Sequence, residues 1–326
     1  MNKNCPNYRS GCMNINCPYN HPTLTDSDLV HIRKKYIRSM VKNDIFIETP
    51  HYKFKRLYLI PIKILGSGAY GTVIKTIDIK TKFPYAVKIE KNISKSNLKN
   101  EYRLTKHLNM NNNVMTSIMF KETKNDLILV SYFFSTTLEE YFDKIKKESD
   151  IHIYVLHFAR NILNALEYIH SLNIVHRDIK PSNIMYNNGN FYLIDFGLAL
   201  KYENSMFMTK KGYTGTPFYM SIKSHNNKMH SPIDELESLG YSIMYIILRF
   251  YDKKMPWRGS DHDDNKYSEI RKSKLKFMTG LVKNKNKGVY KVLPKYLIKY
   301  FKYVNKLDDK TYNSNVYTNL NNILTV

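Results

Sequence analysis

Apolar residues recur along this chain with two different periods. In the stretch TLTDSDLVHIRKKYIRSMVKND, Leu29, Ile32, Tyr36 and Met40 fall at helical spacing, and Thr25 with Asp28 resembles a capping box. Arg33, Lys34, Arg38 and Lys42 fall on the opposite face, as a solvated helix face or as phosphate contacts would. Beyond Lys55 the period shortens. Leu57 to Leu65 and Val73 to Ile79 read as strands, and Tyr85 to Ile89 as a short apolar strand with one inward Lys, Lys88. A helix is predicted over Ser94 to Met110, carrying Glu101, and a further strand over Phe191 to Ile194. The longest uncharged apolar run, Ser238 to Leu248, falls well short of the roughly 20 residues of a membrane span.

Composition narrows the class. The chain has 326 residues, 43% hydrophobic and 13% aromatic, enough for one large or two smaller domains, which excludes wholesale disorder. A net charge of +23, from 51 Lys+Arg against 28 Asp+Glu, favours polyanionic partners. Nucleic acid and acidic proteins both qualify, and no membrane partner is expected. The opening MNKNCPNYRS lacks the apolar core of a signal peptide, so an intracellular location, cytoplasmic or nuclear, is expected.

The 3 cysteines cannot build a disulfide framework. Cys5, Cys12 and Cys17 are instead followed by His21, in the pattern C-x6-C-x4-C-x3-H. Three thiolates and one imidazole are the ligand set of a closed tetrahedral Zn2+ site. So short a segment buries too little apolar surface to fold alone, and metal binding would supply its folding free energy. Ligand order and the CPYNHP ending resemble CCCH zinc fingers, particularly the poly(A)-binding type. That resemblance implies single-stranded RNA as a partner, stacked on Tyr8, Arg9 and Tyr19. A structural or protein-contact module is the other reading of a lone finger.

The remaining motifs concern phosphate. Leu65-Gly66-Ser67-Gly68-Ala69-Tyr70-Gly71-Thr72-Val73 is G-x-G-x-x-G between two strands, and its glycines let backbone amides approach phosphate oxygens. A dinucleotide-binding fold would open a helix here, but the alternation after Gly71 predicts a strand. Glu101 is spaced to pair with Lys88, since a buried Lys is costly without a partner. Then come His176-Arg177-Asp178-Ile179-Lys180-Pro181-Ser182-Asn183 and Leu193-Ile194-Asp195-Phe196-Gly197. The first offers a carboxylate for a hydroxyl and an amide for a metal ion; the second offers a metal-bridging carboxylate.

In this order the set resembles a eukaryotic-type protein kinase. The resemblance implies an α+β bilobal protein kinase fold, with a β-rich N-lobe of about 55–131 and a mainly α-helical C-lobe of about 135–326. A zinc finger over 1–24 and a linker helix over 25–54 would precede it. It also implies ATP and Mg2+ as cofactors and protein substrates with Ser/Thr acceptors. Asp178 would be the catalytic base, Lys180 would stabilise charge on the transferring group, and Asn183 and Asp195 would hold magnesium. Lys88 would contact ATP phosphates under the glycine-rich segment 65–73, Glu101 would position Lys88, and Arg177 would brace the activation segment.

The sequence lacks Ala-Pro-Glu after that segment and has Thr214-Gly215-Thr216-Pro217 leading to Ser221-Ile222-Lys223. With Asp234-Glu235-Leu236-Glu237-Ser238-Leu239-Gly240, Met255-Pro256-Trp257 and Leu307-Asp308-Asp309-Lys310, this resembles the casein kinase I group, including the vaccinia-related kinases. Glu235 departs from it, standing where the group has an Asp that braces the catalytic loop. Either the longer side chain reaches, or Asp234 substitutes, or the chain is an RNA-binding adaptor with a weak or non-catalytic kinase fold. Lys201, Lys210, Lys211 and Lys223 near the implied substrate groove suit acidic or already phosphorylated substrates, or are an undirected surface excess.

Overall fold

The computed structural model describes residues 52–53, 57–68, 71–78, 80–90, 96–201, 214–226, 230–257, 264–283, 285, 287–308 and 310–325. The zinc-finger expectation and the linker-helix expectation up to residue 51 lie outside the described residues, as do Ala69, Tyr70, Lys210, Lys211 and Asp309, while Tyr52–Lys53 at the end of the expected linker helix form a strand instead. The fold divides into two compact units. One takes the chain up to Lys106 and Thr116–Phe133; the other takes His107–Met115 and everything from Phe134.

The first unit is an antiparallel six-stranded sheet. Its strands are β1 (Tyr52–Lys53), β2 (Tyr58–Gly68), β3 (Gly71–Asp78), β4 (Pro84–Glu90), β5 (Ser117–Glu122) and β6 (Leu127–Tyr132), in the order β1-β2-β3-β4-β6-β5. The period of two sorts its side chains. Leu59, Ile74, Val87, Ile89, Ile128 and Val130 form one core cluster. Leu127 and Leu129 alternate to the other face, with Leu98 of helix α1 (Leu98–Thr105). Strand β6 is therefore buried on both faces, which is why it reads as a continuous apolar run.

Helix α1 is shorter than the predicted Ser94 to Met110. It ends at Thr105, whose hydroxyl donates to Glu101 O and pairs with Ser117 Oγ at 2.6 Å, and a short 3-10 turn occupies Met110–Asn112. Asn109 caps that turn by accepting from Asn111 N.

The second unit is mainly helical: α2 (Leu138–Phe142), α3 (Glu148–Ser171), α4 (Pro232–Phe250), α5 (Asp264–Val282), α6 (Val289–Val292), α7 (Lys295–Val304) and α8 (Asn315–Ile323). Helix α4 is buried nearly all round, Asp234, Glu235, Ser238 and Ser242 included, while α3 buries one stripe from Ile151 to His170. The Ser238 to Leu248 run is thus the core helix of a folded unit. Among the described residues, no helix is long and apolar enough to cross a membrane.

Short strands carry the loops that matter. β7 (Thr136–Thr137), β9 (Ile184–Asn187) and β10 (Asn190–Leu193) form one small sheet, and β8 (Ile174–Val175) pairs with β11 (Leu200–Lys201). Asn188 and Gly189, both at positive φ, turn β9 into β10, the geometry a two-residue hairpin demands. The segment His107–Met115 joins this unit through a parallel bridge of Val114 to Leu193 and a 2.8 Å bond from Leu193 N to Asn113 O.

Candidate active site

In the first unit, the glycine-rich turn joins β2 and β3, with Gly66 opposite Val73 and Gly68 opposite Gly71. Gly71 sits at φ +106°, and a Cβ there would lie 2.2 Å from Ile89 O, so any side chain would clash with β4. Within β4, Val87 and Ile89 face the core cluster, so Lys88 faces the side that carries α1. Its Nζ lies 3.0 Å from Glu101 Oε2 and 3.8 Å from Glu90 Oε1. Glu101 is 5% exposed, so Lys88 meets a desolvated carboxylate.

In the second unit, His176 to Asn183 connects β8 to β9. Buried His176 bonds Ile194 O through Nε2 at 2.9 Å and packs edge-on against Phe196. The two loops are thereby fixed to each other. Asp178 Oδ1 accepts from Thr216 N at 2.9 Å and from Thr216 Oγ1 at 2.8 Å. Lys180 Nζ lies 2.7 Å from Asp178 Oδ2 and donates to Thr216 Oγ1 at 2.8 Å. Asn183 Nδ2 donates to Asp178 O at 2.9 Å and to Asp178 Oδ2 at 3.1 Å.

The structure thus brings Asp178, Lys180, Asn183 and Thr216 together around one carboxylate. Asp195 is exposed, at φ +61°, one residue after Ile194, whose N–H donates to Asn183 O. Asn183 commits its amide nitrogen to Asp178, which leaves its amide oxygen as a hard donor. An amide oxygen and a carboxylate suit Mg2+, which takes one or two protein oxygens and fills its octahedron with phosphates and water. Among the described residues there is no cluster of three or more His, Cys, Asp or Glu of the kind that holds a metal unaided.

Glu235 reaches the loop from His176 to Asn183. It is fully buried, and its Oε1 accepts from Arg177 N at 2.5 Å. His230 Nε2 adds a bond to Oε1 at 3.2 Å, and His170 Nε2 one to Oε2 at 2.7 Å. Burial alone would push this carboxyl up, but the bonds from His170 and His230 outweigh it and hold the group well below the usual carboxylate range. Asp234 is occupied elsewhere. It accepts from Ser231 N and Oγ in the capping box of α4, and Ser221 Oγ donates to it. Arg177, at φ +68°, also sends its Nε to Leu198 O at 2.6 Å. Gly215 permits the approach of this loop, since a Cβ there would lie 2.4 Å from Arg177 O.

The segment that lacks Ala-Pro-Glu is held by Glu237 from the Asp234–Gly240 motif and by Lys274, which the sequence reading did not single out. Lys274 of α5 is fully buried and donates to Pro217 O at 2.9 Å and Met220 O at 2.6 Å. Its third partner is His225 Nε2 at 3.2 Å, and the Tyr241 and Trp257 rings lie under the amine. Burial, reinforced by the Lys274 charge, pushes His225 down to about 3, in keeping with an unprotonated ring nitrogen that accepts. Glu237 holds the other side: Oε1 accepts from Ile222 N at 2.9 Å and Tyr241 OH at 2.5 Å. Desolvation drives the Glu237 carboxyl up and the Lys274 amine down, each opposed by the other's charge. Lys274→Met keeps the stem but strands two buried carbonyls. It should lower stability by about 1–3 kcal/mol, read as a reduced urea midpoint at unchanged m.

A protein kinase domain matches residues 60–312 of the chain. A probable casein kinase I homolog of Encephalitozoon cuniculi is 31% identical over 229 residues, which are 65% of this chain and 73% of that protein. A casein kinase I homolog of Kluyveromyces lactis is 29% identical over 248 residues, covering 72% of this chain but only 44% of the longer relative. The chain belongs to the protein kinase family. Within it the chain is a protein serine/threonine kinase, an enzyme class whose members use ATP and Mg2+.

Proposed function

We propose that Asp178 is the catalytic base of this kinase, taking the proton of a Ser or Thr hydroxyl as the γ-phosphoryl of ATP is transferred. The observation that carries this reading is the convergence of Lys180, Asn183 and Thr216 on the Asp178 carboxylate. The bond from Thr216 orients one carboxylate oxygen, and Lys180 beside it is a cation for charge on the transferring group. When bound, magnesium would be held by Asn183 and Asp195, and would neutralise charge on the phosphates. Lys88 contacts ATP phosphates, Glu101 keeps the Lys88 ammonium aimed, and the glycine-rich segment from Leu65 to Val73 supplies backbone amides. Each role is one of position and charge, which is most of what phosphoryl transfer asks of a protein.

The adaptor reading rested on Glu235. A carboxylate that accepts the Arg177 amide supports the catalytic reading over it. Acidic or phosphorylated protein segments are the substrates we infer from Lys201, Lys210, Lys211 and Lys223 near the implied substrate groove. The chain's net charge of +23 favours them as well. A panel of acidic and neutral Ser/Thr peptides tests this, with kcat/KM expected to be highest for the acidic ones and to fall as salt rises.

For the N-terminal segment we propose a Zn2+ site of Cys5, Cys12, Cys17 and His21 that binds single-stranded RNA. The ligand set and the aromatic and basic residues around it support this. Cys17→Ser should release about one equivalent of zinc by metal analysis and weaken A-rich RNA binding. Wild-type affinity should fall steeply with salt. Equal RNA binding by both proteins would remove the finger as the RNA site, leaving a protein-contact role.

A further inference from the structure

Arg177 precedes the proposed base and holds a left-handed backbone, φ +68°, that a non-glycine residue adopts only when its surroundings over-determine it. Glu235 is what accepts its amide. A Glu in place of an Asp adds a methylene, and a longer carboxylate would carry more rotamer freedom unless both oxygens were pinned. They are pinned by two histidines from different parts of the unit, His170 at the end of α3 and His230 just before α4.

Each histidine is anchored in turn. His170 Nδ1 bonds the Tyr317 hydroxyl of α8, and Tyr317 OH lies 2.7 Å from Tyr312 OH. His230 Nδ1 faces Ser224 Oγ at 3.4 Å. With Nε2 donating to the carboxylate and Nδ1 accepting from Tyr317, every donor in the Tyr317–His170–Glu235 series has one acceptor. The side chains of Glu235, His170 and His230 are 0%, 2% and 9% exposed, so water does not substitute for a lost partner.

We propose that Tyr317 and His230 are positioning residues for phosphoryl transfer, acting through His170, Glu235 and the Arg177 amide on the aim of Asp178. The relay links the C-terminal helix α8 to the catalytic loop, so the last turns of the fold contribute to rate. The proposal rests on Asp178 as the base, and its test separates the two.

Full-length Tyr317→Phe, His230→Gln and His170→Phe proteins, and the Tyr317→Phe/His170→Phe double, would be assayed beside Asp178→Ala with a peptide substrate and by thermal melting. Tyr317→Phe and His230→Gln should each lower kcat about fivefold, the loss of about one hydrogen bond's worth of aim. KM for ATP should stay within about twofold, as no contact to the nucleotide is removed. Tyr317→Phe should add nothing in the His170→Phe background, the signature of a shared path. His170→Gln, which keeps a donor and an acceptor, should recover part of the loss and serves if His170→Phe does not fold. Wild-type kcat in folded Tyr317→Phe and His230→Gln would overturn the relay, even where their melting points drop. Activity retained by Asp178→Ala would instead overturn the assignment of the base and leave the relay nothing to aim.

Discussion

Asp178→Ala should lower kcat for peptide phosphorylation by about three orders of magnitude, within the 10²–10⁴ span of a positioned general base. The structure explains why the loss would be deep. Removing the carboxylate deletes the proposed proton acceptor and also the group on which Thr216, Lys180 and Asn183 converge. Asp178→Asn keeps the shape and should be comparably inactive, because an amide cannot take the proton. Lys88→Ala should fall nearly as far by a different route, since it leaves Glu101 5% exposed with its cation gone. Its protein should remain able to bind peptide, so that KM for peptide changes less than kcat. Steady-state kinetics on the three variants, after circular dichroism establishes folding, checks all of this.

Glu235→Ala should be the most damaging change for stability among those considered, at about 3–5 kcal/mol, the usual cost of breaking a buried pair by removing one partner. The carboxylate serves the Arg177 amide and both histidines at once, and each would be left buried without it. Against a total stability of about 5–15 kcal/mol, that is enough to place a marginal domain near its unfolding threshold at 37 °C. Chemical denaturation should show the loss at constant m. A Glu235→Ala protein within about 1 kcal/mol of wild type would mean that the loop is braced by something else.

Much of this site was legible because kinase chemistry fixes residue types at short spacings. The glycine turn and the Lys88 strand lie where local periodicity and turn chemistry put them, whereas the segments around Asp178 and Asp195 are read from their resemblance to protein kinase motifs. Helix α1 was over-extended because the apolar pattern runs on past Thr105, whose carbonyl accepts from the Thr116 hydroxyl at 2.9 Å in place of a further helical turn. The attachment of His107–Met115 to the second unit rests on backbone bonds to Leu193, some 80 residues away, and no side-chain pattern announces it.

Glu235 read as a defect because its remedy is remote. His170 lies 65 residues earlier in sequence and becomes a neighbour only when α3 packs on α4. Lys274 did leave a signal. It falls on the stripe of Ile270, Phe277, Met278 and Leu281, and a lone Lys on an apolar helix face must be paired inside. Asn188-Gly189 between two apolar runs is likewise a hairpin signal that the sequence reading passed over.

The central claim is that this chain transfers phosphate to Ser or Thr through Asp178. Its most direct test is phosphoamino-acid analysis of an acidic protein substrate after incubation with the full-length chain, Mg2+ and γ-labelled ATP. The account predicts labelled phosphoserine or phosphothreonine from wild type and none above background from Asp178→Ala. Equal labelling by the two proteins, or none by folded wild type across a substrate panel, would contradict it.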